Sequence, residues 1–169
     1  MKFFIIVLSV FGLHAQENIQ NISSPDGAIR VNFSLDEEGR PFYLVFHKDQ
    51  TVIDTSFLGF DLKDAPSLST DFVVINSGTS SFNETWKMPW GEQLEVENNY
   101  NELKIDLAEK SGLKRKLSVT FRVFNDGIGF KYDFPEQENL KEVIITDENT
   151  EFALTGDHTS FWTPGDWDI

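Results

Sequence analysis

Two runs of alternating apolar and polar residues, separated by Asn125-Asp126-Gly127, form the clearest pattern in the chain. The runs are Ser118–Val123 and Ile128–Phe134, and the second carries three aromatic residues on its apolar positions. Period-two alternation places the apolar side chains on one face of a β-strand. Because Asn, Asp and Gly tolerate positive φ, the pattern predicts a β-hairpin. Its apolar face needs a second layer to cover it, so the simplest interpretation is a core hairpin with no chemical role.

Further short strand patterns, separated by turn signals, run through the rest of the chain. The predicted strands are residues 29–35, 42–47, 51–53, 72–75, 94–96, 102–107, 142–146 and 151–154, with another apolar segment at 57–62. Residues 64–71, 76–81 and 82–92 are predicted to lie outside strands, residues 16–24 to be frayed, and residues 110–116 to form a solvated basic hairpin end. No helical period is sustained over three turns. The pattern predicts an all-β sandwich or barrel.

Composition and net charge limit the classes of partner that we expect for this domain. The 169 residues are enough for one domain, and 16 Phe and 4 Trp can fill a sizeable core. The formal net charge of -14 repels phosphate backbones, so we expect no nucleic-acid partner, and it gives no support to docking on anionic lipid. Solubility is the simplest account of the charge.

The N-terminus has the pattern of a signal peptide, which we assign to residues 1–15. Lys2 precedes an apolar run, Phe3–Leu13, that is too short to span a bilayer, and Ala15 offers a cleavage site. A buried first helix is the competing interpretation. The chain has no cysteine, which excludes disulfides, thiolate sites and a lipoprotein anchor. We therefore expect a periplasmic or secreted domain, residues 16–169, without a membrane anchor.

Two tryptophans and two carboxylates lie close together at Glu84, Trp86, Trp90 and Glu92. Tryptophan faces stack on the apolar faces of sugar rings, and carboxylates accept hydrogen bonds from sugar hydroxyls. The segment is thus a candidate carbohydrate contact, although an aromatic loop capping a sandwich has the same residue types. A glycosidase needs two carboxyl groups roughly 5 to 10 Å apart, so a hydrolase acting through Glu84 and Glu92 is a further hypothesis.

A second constellation lies near the end of the chain. Asp166 and Asp168, beside Trp167, offer oxygen ligands to a hard cation such as calcium. The full calcium-loop pattern is absent, so a solvated loop explains these residues equally well. His47 and His158 have no partner at metal-ligand spacing, and the nucleophile-elbow, P-loop and dinucleotide motifs do not occur. The residues alone name no reaction.

Six segments, taken together, resemble the N-terminal domain of glycoside hydrolase family 97. They are Ser24–Gly27, the pair Glu84–Trp86 and Pro89–Glu92, Asn98–Leu103, Phe121–Phe130, Thr150–Phe152 and Trp162–Asp166. Their order and spacing agree with the family over nearly all of residues 16–169. The resemblance implies a β-super-sandwich of the galactose-mutarotase-like type, made of many short antiparallel strands.

The same resemblance implies a function. Members are exported bacterial α-glucosidases and α-galactosidases in which a (β/α)8 barrel carries the catalytic residues and most of the ligands of a calcium ion. A barrel needs about 250 residues, so we expect this chain to end before it and to lack catalytic residues and assignable calcium ligands. The implied role is a non-catalytic domain that packs against the barrel and completes its rim for α-linked oligosaccharides. The substrate-contact candidates are Glu84, Trp86, Trp90 and Glu92, with Asp166 and Trp167 behind them. The alternative is a stand-alone carbohydrate-binding module.

Overall fold

Residues 19–163, the part of the chain described by this computed structural model, form eleven β-strands. In order they are β1 (Gln20–Ser23), β2 (Ile29–Leu35), β3 (Pro41–His47), β4 (Gln50–Phe57), β5 (Phe60–Leu62), β6 (Ala65–Leu68), β7 (Phe72–Lys87), β8 (Glu95–Glu109), β9 (Lys116–Val123), β10 (Ile128–Asp133) and β11 (Ile145–Glu148). Within these residues no helix is long and apolar enough to cross a membrane. The predicted signal peptide, as well as Asp166 and Trp167, lies outside the described residues.

The strands make three antiparallel sheets, which confirms the predicted all-β class. The first sheet has the order β1-β2-β3-β4, the second has the order β10-β9-β8-β7, and the small third sheet has the order β11-β5-β6. All the pairings are antiparallel. Sheets of this kind bury one face and leave the other to solvent, which matches the period-two patterns of the chain.

The core lies between the first and second sheets. Phe33 and Tyr43 of the first sheet meet Phe121 of the second, with ring centroids 6.2 and 5.7 Å from the Phe121 ring. All three side chains are fully buried. The third sheet closes one side of this core, where Phe60 packs edge-on against Tyr132 at 4.7 Å. The aromatic residues therefore hold all three sheets together.

The predicted central hairpin is present as β9 and β10. Phe130 pairs with Phe121 and Tyr132 with Val119, so the apolar positions of both strands share the core face, as predicted. The predicted reason for the turn, a positive φ at its central residues, was wrong, because none of Asn125, Asp126 and Gly127 has a positive φ. Instead, Asn125 Oδ1 accepts a hydrogen bond from the Asp26 backbone N–H at 3.0 Å, which ties this turn to the one before β2.

Several strands were predicted too short or missed, because the observed strands continue through polar residues. The predicted loop at 76–81 and the first part, 82–87, of the predicted loop at 82–92 form one strand with 72–75. The two predicted strands at 94–96 and 102–107 belong to one long β8. The frayed segment contains β1, and the turn at 64–71 contains β6. The predicted strand at 151–154 is reduced to a single bridge between Ile53 and Leu154. Polar residues exposed on both faces give no alternation, so the sequence pattern does not reveal such strands.

The predicted solvated turn at 110–116 contains a buried cation. Arg115 is 1% exposed and donates to the Glu109 carboxylate and to the backbone carbonyls of Pro66 and Ser67. Glu109 is also nearly buried, with its side chain 9% exposed. Burial is tolerated here because the guanidinium donates to both carboxylate oxygens and to two carbonyls. This network joins the β8–β9 turn to β6.

Replacing Arg115 should therefore destabilise the protein strongly. Arg115→Met leaves the Glu109 carboxylate buried without its partner, and we expect the free energy of unfolding to fall by about 3–5 kcal/mol in urea denaturation. Lys87→Met is the matched control, because its ion pair with Glu95 is exposed on both sides and should contribute less than about 1 kcal/mol. Equal losses in the two variants would contradict this account of Arg115.

Stability should also fall at alkaline pH because of Tyr43. Burial raises the pKa of Tyr43 to about 12 from 10.0, against a smaller lowering by a hydrogen bond with Ser56, and its hydroxyl donates to the Glu151 carbonyl at 2.9 Å. The folded chain thus holds this proton more tightly than the unfolded chain. The stabilisation that comes from this bound proton is complete below pH 10 and is lost as pH rises towards 12. Over this range the free energy of unfolding falls by up to about 1.4 kcal/mol per pH unit.

Urea unfolding at several pH values tests this contribution. Tyr43→Phe should lower stability by a constant amount below pH 9 and should show a shallower decline than the parent protein between pH 10 and 12. Tyr132, whose pKa burial also raises, accounts for part of the decline that remains. Parallel declines of parent and variant would show that Tyr43 does not titrate in this way.

Candidate functional site

β7 and β8 extend beyond the rest of the second sheet as a two-stranded arm. β9 pairs with β8 only from Asn101 to Ala108, whereas the pairing of β7 with β8 continues to Lys87 and Glu95. Residues 82–100, which we call the arm, therefore form a ribbon supported by other strands only at its base. An isolated hairpin is at best marginally stable in water, so the contacts at this base matter for its position.

The two faces of the arm differ in chemistry. Residues paired directly opposite each other share a face, and alternate residues along a strand share it too. One face carries Asn83, Thr85, Lys87, Glu95, Glu97 and Asn99. The other carries Phe82, Glu84 and Trp86 from β7 and Val96, Asn98 and Tyr100 from β8. We call this second set the aromatic face of the arm.

Aromatic packing fixes the base of this face. Phe82 stacks on Tyr100 with centroids 5.4 Å apart and an interplanar angle of 24°, and Tyr100 also contacts Phe124 at 5.2 Å. The Arg122 guanidinium lies 4.5 Å from the Tyr100 ring centroid, while its Nε donates to Glu102 at 2.7 Å. A cation over an aromatic face and an aromatic pair each contribute on the order of 1 kcal/mol. The base of the arm is thus held by four interactions on one face.

The tip of the arm is a turn in which the aromatic side chains are exposed to solvent. Met88 N–H donates to the Leu94 carbonyl at 2.9 Å and closes the turn, in which Gly91 has a φ of +128°. The Trp86 indole N–H donates to Met88 Sδ at 3.3 Å, which leaves the indole 40% exposed. Trp90 is 83% exposed. A tryptophan is usually mostly buried, so this exposure makes the tip a candidate contact surface.

The structure brings the four predicted residues to one end of the arm, but not in one loop. Glu84 and Trp86 lie on a strand, on the aromatic face, whereas Trp90 and Glu92 lie in the turn. Expecting a loop over 82–87 was wrong, because Phe82, Glu84 and Trp86 have the period-two spacing of a strand. That same spacing would have indicated Phe82, which sequence reasoning missed together with Tyr100. Asp166 and Trp167 lie outside the described residues.

Asp106 is a carboxylate on the same face of β8 as Tyr100, and it is held by hydrogen bonds. Asp106 accepts hydrogen bonds from Ser118 Oγ at 2.6 Å and from Asn76 Nδ2 at 3.0 Å. The Ser118 hydroxyl in particular holds the pKa of Asp106 below its usual value. Asp106 is therefore ionised at neutral pH and acts as a structural acceptor, not as a proton donor.

Metal chemistry has no support among residues 19–163. They contain no group of three or more His, Asp or Glu side chains placed to hold a metal ion. The arm offers exposed indole faces and carboxylates, an arrangement suited to binding a polyhydroxylated ligand.

The comparisons with known proteins agree with this fold. Residues 22–169 match the family described as glycosyl-hydrolase 97 N-terminal. Two similar solved structures are of a glycoside hydrolase family 97 enzyme from Pseudoalteromonas sp. strain K8, one in complex with panose and one with acarbose. Each is 36% identical, with a TM-score of 0.76, and the match covers 80% of this chain.

A more distant structure shares the fold alone. It is a beta-arabinopyranosidase with 22% identity and a TM-score of 0.70, and the match covers 79% of this chain and 21% of that one. The match to the Pseudoalteromonas enzyme likewise covers only 20% of its length, so the chain spans about a fifth of these relatives. Since the family match covers most of the chain, the protein belongs to the glycoside hydrolase family 97 N-terminal family.

Proposed function

We propose that this chain is the non-catalytic N-terminal domain of an exported α-glycosidase, an α-glucosidase or α-galactosidase, that acts on α-linked oligosaccharides. In this proposal the sandwich packs against a catalytic (β/α)8 barrel, and the arm completes the rim of the active site. The observation that carries it is the exposed tip of the arm, where Trp90 is 83% exposed beside the half-exposed Trp86.

The geometry of the arm supports a rim position. Its base is held by the Phe82–Tyr100–Phe124 cluster, while its tip extends beyond the sandwich. A ribbon of this kind can carry an indole to a neighbouring domain without disturbing the core. The related enzyme was crystallised with panose and with acarbose, which supports an oligosaccharide as the ligand class of the whole protein.

The catalytic residues and the metal belong elsewhere in this proposal. A glycosidase needs two carboxyl groups placed across the scissile bond, and the proposal assigns them to the barrel. Calcium is expected for the full-length family member. Because residues 19–163 contain no cluster that could hold a metal, the proposal assigns no calcium ligand and no catalytic step to this chain. Export to the periplasm or medium is part of the proposal and rests on the signal pattern of residues 1–15.

Trp90→Ala in the complete glycosidase tests the rim position. Stacking of an indole on a sugar contributes about 0.5–1.5 kcal/mol, so we expect the KM for an α-linked oligosaccharide to rise about threefold to tenfold with little change in kcat. A nitrophenyl monosaccharide, which is too short to reach the rim, should show no such rise.

Leu113→Ala is the matched control for this substitution. Leu113 is also an exposed apolar residue, 47% exposed, but it lies in the turn at the opposite end of β8 from the tip. Its KM should be unchanged. An unchanged KM in Trp90→Ala as well would remove the arm from the active-site rim.

A stand-alone carbohydrate-binding module is the second candidate, and the same two exposed indoles favour it. It requires that the 169-residue chain alone bind maltooligosaccharides or galactosides, with the affinity reduced in Trp86→Ala and Trp90→Ala. Titration calorimetry measures this directly. If the arm acts only together with the barrel, as in the leading proposal, the isolated chain should give no binding heat at millimolar sugar.

A further inference from the structure

The second sheet ends in an edge strand, β10, whose outer backbone groups have no strand beside them in the described part of the chain. The order of the sheet is β10-β9-β8-β7, and β10 pairs with β9 alone. Phe124 N–H donates to the Gly127 carbonyl at the turn. In an antiparallel pair, every second residue bonds to the partner strand, and the backbone groups of the residues between them point the other way. Since Gly127 bonds towards β9, the backbone groups of Gly129 and Lys131 also bond to β9. The backbone N–H and C=O groups of Phe130 and Tyr132 therefore face the open edge.

The other edges of the two large sheets are protected in ways that β10 is not. β1 has only four residues, and the outer side of β4 is covered where Asp54 N–H donates to the Ala153 carbonyl at 2.8 Å. β7 carries a register shift between Val74 and Asn76 and is polar in the residues that follow it, 76–81. Short strands, covering segments, bulges and polar residues are the usual protections of a free edge. Of these protections β10 has only the charged residues Lys131 and Asp133. It is six residues long, its register with β9 has no shift, and its apolar residues face the core.

A cleft of about 520 Å³ lies along this edge, between β10 and the segment 148–152. It is lined by Phe130, Tyr132, Phe152, Ile53 and Ile128 together with Glu148, Thr150 and Gly129. Phe130 is one of the rings that contact Phe121, so the cleft opens directly onto the core. Beside it Phe152 is 60% exposed and Leu154 is 58% exposed. The apolar residues of β10 are therefore only partly covered in the described part of the chain.

We propose that β10 pairs with a further β-strand from the polypeptide that follows residue 169 of the same molecule, and that apolar side chains of this strand fill the cleft. The backbone groups of Phe130 and Tyr132 supply the hydrogen bonds, as in other cases where a strand is added to a free edge. Alternating apolar residues on the added strand bury Phe152 and Leu154. This inference rests on the proposed function only in placing more polypeptide after residue 169.

The length and the course of the chain favour this occupant over a second copy. The chain spans a fifth of the related enzyme, and the family match includes residue 169. The bridge between Leu154 and Ile53 keeps the chain beside the cleft, since Ile53 lines it. A second copy would bring another net charge of -14 against the same edge, which opposes association.

Hydrogen–deuterium exchange with residue-level fragmentation tests the proposal, using the complete polypeptide encoded by the gene and the chain ending at residue 169. In the complete polypeptide the amides of Phe130 and Tyr132 should exchange at least 100-fold more slowly than in the shorter chain. Gly129 and Lys131, already bonded to β9, are the internal control and should be protected in both. Fast exchange of Phe130 and Tyr132 in the complete polypeptide, or a gene product that ends at residue 169, overturns the proposal.

Two further measurements separate the alternatives. Protection of Phe130 that increases with protein concentration over a 100-fold range would assign the edge to a second copy and overturn the proposal. Leu113→Asp, at an exposed turn, should lower Tm equally in the complete polypeptide and in the chain ending at residue 169. Phe152 already contacts the rings of Tyr43 and Phe130, so Phe152→Asp should lower Tm in both chains, but by several degrees more in the complete polypeptide. Equal shifts for Phe152→Asp in the two chains would show that nothing covers the cleft. These readouts do not depend on Trp90, so a failed rim test with a protected edge would leave this inference standing.

Discussion

The packing of Phe121 between the two large sheets is the contact on which the rest of the structure depends. Its ring meets Phe33 and Tyr43 of the facing sheet and Phe130 of the neighbouring strand. The register of β9 against its neighbours follows from keeping this residue inside, since a slip of one residue would turn every core side chain of β9 to solvent. With that register fixed, Tyr100 and Arg122 must lie on the outer face, where they hold the base of the arm.

The two open features of the domain lie in the same sheet but at different places. The tip of the arm exposes indoles at the far end of β7 and β8, while β10 exposes backbone groups and a cleft at the edge. The first suits a ligand or a neighbouring domain, because its aromatic side chains point outwards. The second suits another strand, because its side chains belong to the core. Both features are consistent with the proposal that this domain is one part of a longer polypeptide.

Sequence patterns predicted the parts of this fold in which one face is apolar. The β9–β10 hairpin and strands β2 and β3 were predicted within a residue or two, because each alternates clearly. Strand β7 was not predicted as one element, because its middle residues, 76–81, are polar and give no period, and the arm that continues from them was therefore taken for a loop. The burial of Arg115 depends on the carbonyls of Pro66 and Ser67, which are far away in sequence. For the site, the residue types indicated a carbohydrate contact, but only the strand register shows that Glu84 and Trp86 share a face.

The claim that this chain is one domain of a larger glycosidase is tested most directly by reading the gene past codon 169 and measuring the intact mass of the native protein. Our account predicts that the reading frame continues for at least the roughly 250 residues of a catalytic barrel, and that the native mass includes them. A stop codon after Ile169, with a native mass that fits residues 16–169, would contradict it. The Trp86–Trp90 tip would then have to function without a catalytic domain.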